Sequence, residues 1–518
     1  MTDSADEPTV VFRGGTVWTG TGRTHALAVR GGRVHALGDA ALIGDRTAEI
    51  DLAGGFLMPA FGDGHAHPVL GGLERQGPPV AGLASVAEIV EAVRVYAEAH
   101  PDVPWIVGAG YDPTLAPDGV YDARWLDAAV PDRPVVLRAG DYHAVWCNSA
   151  ALARAGVEDS TVEGIVRSPL GTLREWAACD LVLRLIPPGL TDLGAAVRHA
   201  YAAYAAAGVT WVQDAWVDLD SGFADAYLAN PGLRVALALR ADPDHWRDQL
   251  PLFRAERERV ATDLVSGHTV KFFTDGVIET ETAALLSPYA HSCGHGTPVW
   301  PRAELLAAAA AVDAAGFQLH LHAIGDAGVR LALDAVEHAT AVNPPRDRRP
   351  VITHVQLVDP ADVPRFRELG VIANLQPYWA QLDPAQTELT IPRLGPDRAA
   401  AQYPIRTLTA TTRVSFGSDW PVDSLKPLEG VQVAMTRQTL SGDPPGGWVP
   451  AERVDGETAL ACYTAGTAYQ AFAEHERGTL AVGRQADLAL LSEDPTTAGR
   501  PADVAVLGTW LAGRRIWG

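Results

Sequence analysis

The sequence predicts an α/β fold: a (β/α)8 TIM barrel with an inserted subdomain and a small β-sandwich formed by both termini. Three observations carry that expectation. Eight short apolar runs end in polar residues, and from residue 208 onward they alternate with Ala-rich helical stretches at roughly 35-residue intervals, which implies βα units and a parallel sheet that closes at eight. About 140 residues separate the first run from the second, far more than one barrel connection needs. Residues 9–57 and 477–518 alternate apolar and turn residues, the pattern of paired strands.

The opening "VVFRGGTVWTGTGRTHALAVRGGRVHALG" reads as antiparallel strands, too few to bury a sheet face alone. Residues 1–58 are therefore expected to form half of the sandwich and residues 474–518, with "RGTLAVGRQADLALLSED" and "VAVLGTWLAGRRIWG", the other half. The barrel is expected over 59–473. It begins in "PAFGDGHAHPVLGG", where Pro68 stops the first strand. An insertion at about 75–200 contains the strand-like "PWIVGAGYD" and "RPVVLRAGDYHAVW" and is expected over the barrel mouth, where it would shape the pocket. The remaining barrel strands are expected in "GVTWVQDA", "LRVALALR", "HTVKFFTDG", "FQLHLHAIGD", "PVITHVQL", "GVIANLQP" and "RVSFGSDWP".

A formal charge of −22 repels the phosphates of nucleic acid and anionic membrane surfaces, so neither is expected as a partner. Cys147, Cys179, Cys293 and Cys462 are scattered without CxxC spacing, which suits a reducing compartment. The acidic start "MTDSADEPTV" lacks the basic and apolar regions of a signal peptide, and no apolar run is long enough to span a bilayer. The expectation is a cytoplasmic protein, homodimeric, acting on a small-molecule substrate.

In a barrel the strand C-termini line one mouth, so the polar strand tips converge. They are His65 and His67 on the first strand, Lys271 on the fourth, His322 on the fifth, His354 on the sixth and Asp419 on the eighth. Residues i and i+2 of a strand share a face, so His65 and His67 can reach one ion only if their segment is extended. Imidazole and carboxylate suit zinc or another divalent first-row ion. His320 shares the face of His322 and either could be the ligand; the one nearer the strand end is preferred. Lys271 is the odd member, because an ammonium repels a metal; buried beside a cation its pKa would fall, and carbon dioxide could convert the neutral amine to a carbamate that bridges two ions. Without that modification it would be a substrate-facing or ion-paired lysine. His143 of the insertion is a candidate substrate contact, and Trp216, Tyr378, Trp379 and Trp420 would supply an apolar rim. In "HSCGHG", His291, Cys293 and His295 could bind a metal but lack a fourth partner, so a solvated or pocket-lining loop is expected.

"GHAHP", "VKFFTDG", "HAIGD", "THVQLVDPADVPRFRELGVIANLQP" and "GSDWPV" resemble the motifs of the amidohydrolase superfamily, in particular amidohydrolase family 3 with its YtcJ-like proteins and N-substituted formamide deformylases. The resemblance runs along nearly the whole chain. It implies His65, His67, His322 and His354 as ligands of one or two divalent ions, zinc foremost, Lys271 as the fourth-strand lysine, and Asp419 as the metal-proximal general base. Tyr142 stands where such proteins usually have Gly before the insertion histidine, and "EGIVRSPLGTLREWA" is a short connection; both touch the pocket rather than the metal. The implied reaction is hydrolysis of a non-peptide carbon–nitrogen bond of amide or formamide type, in which water activated by the ion attacks the carbonyl and Asp419 moves the proton to the leaving nitrogen. The alternatives are a metal-dependent deaminase of an amidine-like or heterocyclic small molecule and, in a different class, a non-catalytic barrel used for assembly contacts.

Overall fold

A computed structural model describes residues 9–42, 48–187 and 189–518; the acidic segment before residue 9 lies outside the described residues. Eight parallel strands form the central sheet in chain order: Phe61–Ala66, Val209–Val217, Arg234–Arg240, Val265–Phe273, Gln318–Ala323, Val351–His354, Ile372–Leu375 and Arg413–Phe416. Each lies within or largely overlaps one of the eight apolar runs. Strands covered on both faces are apolar nearly throughout, as in "RVALALR", because neither side meets water. The helices that follow bury one stripe against them: Leu305, Ala308, Ala309 and Val312 recur at helical spacing and join the same apolar core as Leu237, Leu321 and Ile352. Each fully buried Leu, Ile or Val in that layer contributes about 1.5–3 kcal/mol.

The ring closes between the first and eighth strands through polar contacts. Ser418 donates from its backbone N–H to Asp63 Oδ1 (2.9 Å) and from its hydroxyl to Asp63 Oδ2, and Asp419 N–H donates to the His65 carbonyl at 2.8 Å. The approach is close enough that a Cβ on Gly417 would lie 2.6 Å from the His65 nitrogen, so only glycine fits there. These contacts hold two site-bearing strand tips together.

Between the first and second strands the chain builds a five-stranded sheet, ordered Ile165–Arg167, Leu170–Arg174, Ala144–Cys147, Val135–Ala139, Ile106–Tyr111, with its own core around Tyr111, Tyr121 and Trp146. Its turns at 110–113 and 140–143 reach over the barrel mouth and wall the same cavity as the strand tips.

The termini share a third, eight-stranded sheet. Leu488–Leu491 pairs antiparallel with Phe56–Pro59, and the sheet curls so that Arg33 bridges Gln485. Phe12 and Trp510 meet edge to face, centroids 5.2 Å apart, in its core. One expectation needs correction here: the N-terminal strands are not all antiparallel. Ala48–Asp51 and Phe56–Pro59 both run parallel to Val10–Trp18, because the chain leaves Arg33–Leu37 at one edge and re-enters on the far side of Val10–Trp18.

Candidate functional site

His65 and His67 leave one face of the first strand, as i,i+2 residues must, and Pro68 turns the chain at once into the helix Pro68–Glu74. Their Nε2 atoms lie 3.3 and 3.0 Å from Asp419 Oδ1 at the tip of the eighth strand. Asp419 Oδ1 accepts a well-formed hydrogen bond from neither, and it and His67 Nδ1 are buried without partners. Two imidazoles and a carboxylate, donor atoms all within 4.8 Å of one another, therefore converge on a common point instead of bonding to each other. That is what a first-row divalent ion requires of nitrogen and oxygen ligands. Among the described residues no other group of His, Cys, Asp or Glu converges so closely.

The fourth, fifth and sixth strands supply the rest. The ladder sets Lys271 opposite His320 and Phe273 opposite His322, and the His354 ring lies 4.8 Å from that of His65 and 4.6 Å from that of His322. Burial, reinforced by the nearby Lys271 charge, holds His65 and His320 well below the ordinary histidine pKa; burial and the neighbouring His354 do the same for His322. Burial lowers His354 to about 3. These rings are neutral at pH 7, with lone pairs available to a metal. Burial also lowers Lys271 to about 7, against the pull of Asp419 and Asp214, and its Nζ sits 3.5 Å from His65 Nε2. Burial works against ionisation of Asp419, but the imidazoles of His65 and His67 outweigh it and hold the carboxyl well below its usual range.

The two candidate histidines of the fifth strand separate by depth. His320 lies one pleat lower, its Nε2 2.7 Å from His65 Nδ1, so it can fix the orientation of His65 from behind. His322 lines the cavity, with its Nε2 3.2 Å from the Gly276 carbonyl. His354 Nδ1 is held by Gln376 Oε1 at 2.8 Å, which leaves its other nitrogen toward the neighbouring rings. His354 (φ 76°) and Asp419 (φ 58°) both have left-handed backbones, uncommon for residues other than glycine and costing about 1–3 kcal/mol each.

A cavity of about 350 Å³ opens above this cluster, the size of a small-molecule site. His143 reaches it from the insertion, its Nδ1 3.0 Å from Glu175 Oε2, and Glu175 Oε1 accepts from Thr280 and Thr282 of the loop after the fourth strand. Burial opposes protonation of His143, yet Glu175 and Asp141 carry it to about 9. Trp216 and Trp379 also line the cavity, Trp379 stacked on His354 at 5.2 Å.

Two of the expected rim residues lie elsewhere. Tyr378 shares a tight turn, Pro377–Trp379, with Trp379; both pack on the barrel core, but of the two it is Trp379 that lines the cavity. Trp420 is turned against Tyr204, ring centroids 5.6 Å apart, where it fills the space a side chain at Gly71 would occupy. The loop histidines are engaged locally: His291 Nε2 is 2.9 Å from Glu281, and His295 Nδ1 is 3.0 Å from the Leu285 carbonyl. With Cys293 exposed, they form no ligand cluster. Sequence reasoning missed Glu279, Asp383, Gln386 and Asp423, which line the cavity from loops after the fourth, seventh and eighth strands. Their residue types are common on surfaces, so nothing in the sequence marked them.

The likenesses to known proteins agree with this architecture. The chain is 29% identical to the protein LONG AFTER FAR-RED 3 of Arabidopsis thaliana, over 95% of this chain and 88% of that one. It is 27% identical to the putative amidohydrolase YtcJ of Bacillus subtilis, over 94% of each chain, and 25% identical to an N-substituted formamide deformylase of Arthrobacter pascens, again over 94% of each. Among solved structures, an uncharacterised metal-dependent hydrolase from Pyrococcus furiosus superposes with a TM-score of 0.73 at 25% identity, covering 94% of this chain and all of that one. No helix among the described residues is long and apolar enough to cross a membrane. Residues 48–517 match the profile of the amidohydrolase family, and with barrel, insertion and strand-tip cluster in place the chain belongs to that family.

Proposed function

We propose that this protein is a metal-dependent hydrolase that cleaves a non-peptide carbon–nitrogen bond of amide or formamide type, with Asp419 as general base and acid. The observation that carries the reading is the convergence of His65, His67 and Asp419 on one point at the floor of the cavity. His322, His354 and Lys271 complete the set that would hold one or two ions, zinc being the best match to these donors. A divalent ion there would polarise a carbonyl oxygen and bring the pKa of a water toward neutrality.

The chain's own residues do the remaining work. Asp419, ionised across the neutral range and at the cavity floor, can take a proton from a water and hand it to an amide nitrogen, without which an amine leaves very slowly. His143, protonated and anchored by Glu175, can donate a hydrogen bond to the substrate from the roof. Phe273, Ile324 and Trp379 give the cavity an apolar surface against which the substrate can pack. A neutral amine at Lys271 supports the carbamate, since only that form reacts with carbon dioxide. The formamide bond named for the Arthrobacter relative lends the amide reading further support. Four unpaired cysteines suit the cytoplasmic setting that belongs to this proposal.

The test is hydrolysis of simple N-substituted formamides and acetamides by protein reconstituted with zinc, following amine and carboxylate release together. Equimolar release that stops with a chelator and returns with the ion is expected. Release of ammonia from amidines or amino-heterocycles, with no amide cleaved, would replace this reading with the deaminase.

A further inference from the structure

Five carboxylates line the cavity besides Asp419: Asp112 and Asp141 from the insertion, Glu279 after the fourth strand, Asp383 after the seventh and Asp423 after the eighth. Among the described residues their hydrogen-bond donors are uncharged hydroxyls and backbone amides. Thr114 donates to Asp112, the His143 backbone to Asp141, Thr390 to Glu279, and the backbones of Gln386 and Ser424 to Asp383 and Asp423. Among the described residues none of the five pairs within 4 Å with a Lys, Arg or His, although the chain forms many ion pairs elsewhere. Three of them surround one turn: Asp383 opens the segment Ala385–Thr390, Thr390 of that segment holds Glu279, and Asp423 feels the Asp383 charge.

A second feature of the same wall points to a ligand. Gln386 is 3% exposed and lines the cavity; its Nε2 donates to the Tyr403 hydroxyl at 3.1 Å, and its Oε1 is buried with no partner at all. A buried acceptor left without a donor is costly, so a wall combining one with carboxylates that no Lys, Arg or His pairs with is complementary to something that donates hydrogen bonds and carries positive charge. These carboxylates do not form a close ligand group: among the described residues only His65, His67 and Asp419 converge within 4.8 Å. An organic ammonium suits acceptors on several loops, because its three N–H groups point in different directions. Tyr403, Trp379 and Trp216 add aromatic faces, which attract cations. The net charge of −22 draws a cationic molecule toward the mouth. Burial, then the neighbouring Asp383, pushes Asp423 to about 8, and an ammonium bound beside it would draw the carboxyl back toward its charged form.

We propose that the wall formed by Glu279, Asp383, Gln386 and Asp423 is a subsite for an aliphatic ammonium, so that the preferred substrate is an amide bearing a primary amine several atoms from the scissile bond. This rests on the amide-hydrolase reading and names its substrate class.

The experiment compares kcat/KM of the zinc-loaded protein for three acetamides of matched length: N-acetyl-1,5-diaminopentane, N-acetylpentylamine and N-acetyl-5-aminopentanoic acid. The ammonium compound should exceed the neutral one by at least ~10-fold and the carboxylate by more. In Asp383→Asn and Asp423→Asn, measured separately so that loss of one fold leaves the other, the ammonium-to-neutral ratio should shrink severalfold; a ratio within each variant cancels differences in metal loading. Equal rates for the ammonium and neutral compounds in the parent, or an unchanged ratio in the variants that fold, would overturn the subsite. If no amide is cleaved, the hydrolase reading fails by itself. The subsite is then judged by calorimetric binding of pentylammonium against pentan-1-ol, where a preference for the cation that falls in the same variants upholds it and equal or absent binding rejects it.

Discussion

Replacing Asp419 by Asn tests proton transfer directly, while His65, His67, His322 and His354 remain to hold the metal. The side chain keeps its volume and planar shape, so the packing of a residue only 6% exposed is preserved. What is lost is the acceptor: Asp419 Oδ1, 3.0 Å from His67 Nε2 and 3.3 Å from His65 Nε2, is ionised at every pH where the protein would work, and an amide oxygen cannot take a proton. A positioned general base is worth ~10²–10⁴-fold, and at 1.36 kcal/mol per decade the barrier should rise by about 3–5 kcal/mol. Because the same group serves both the attacking water and the leaving nitrogen, the upper part of that range is expected. The assay is single-substrate turnover of an N-substituted amide at saturating zinc, with metal content measured on the same samples. A folded, metallated Asp419→Asn protein within about tenfold of the parent would show that another group moves the proton.

Other changes probe the rest of the cluster. His65→Ala, His67→Ala and His354→Ala should each lower bound metal and abolish hydrolysis while circular dichroism shows the fold retained; unchanged metal content in all three would sink the ligand assignment. Lys271→Ala should be inactive, and short carboxylic acids should restore part of the activity by occupying the vacated position; a fully active, fully metallated variant would remove the lysine from the ligand set. Because burial lowers Lys271 to about 7, carbamate in metal-free protein should increase as pH rises from ~6 to ~8 and the ammonium is lost, which carbon-13 NMR with labelled bicarbonate can follow; a flat profile would contradict the lowered pKa. His320→Ala should weaken metal binding ~10–100-fold through the loosened His65 ring without removing a ligand, and an unchanged metal affinity would make His320 mere core.

The parts legible in the sequence were those where chemistry and periodicity coincide. His65, His67, Lys271, His322, His354 and Asp419 sit at strand ends, and a strand offers only two faces, so recognising the strand decided where each side chain would go. The choice between His320 and His322 could not be settled in the same way. They share a face and differ by one pleat of depth, and depth depends on how the barrel ring seats its strands. Turn residues were harder. Tyr378 and Trp379 are adjacent in a tight turn and both touch the core, and backbone dihedrals that no local pattern specifies decide that Trp379 rather than Tyr378 lines the cavity. The acidic wall was invisible for another reason: Asp112, Glu279, Asp383 and Asp423 become neighbours only after four loops from distant parts of the chain have been folded over one mouth. Likewise, the parallel pairing of Ala48–Asp51 with Val10–Trp18 follows from a crossover that alternating apolar residues do not encode.

The strand Phe56–Pro59 has one edge that is completed only by Leu488–Leu491. On the ribosome, at about 5–20 residues per second, that edge would wait roughly 20–90 s for its partner to be made. It is fully buried in the finished sheet and reads "FLMP", so for that interval it is a short apolar template open to any other unpaired strand. The proline at its end withholds one backbone donor and limits how far a stray strand could extend the pairing. The last thirty or so residues thus act as a latch on the first sixty, and cellular production of this enzyme should be sensitive to translation rate and to chaperones that hold nascent strands, even though the finished protein keeps that edge sealed.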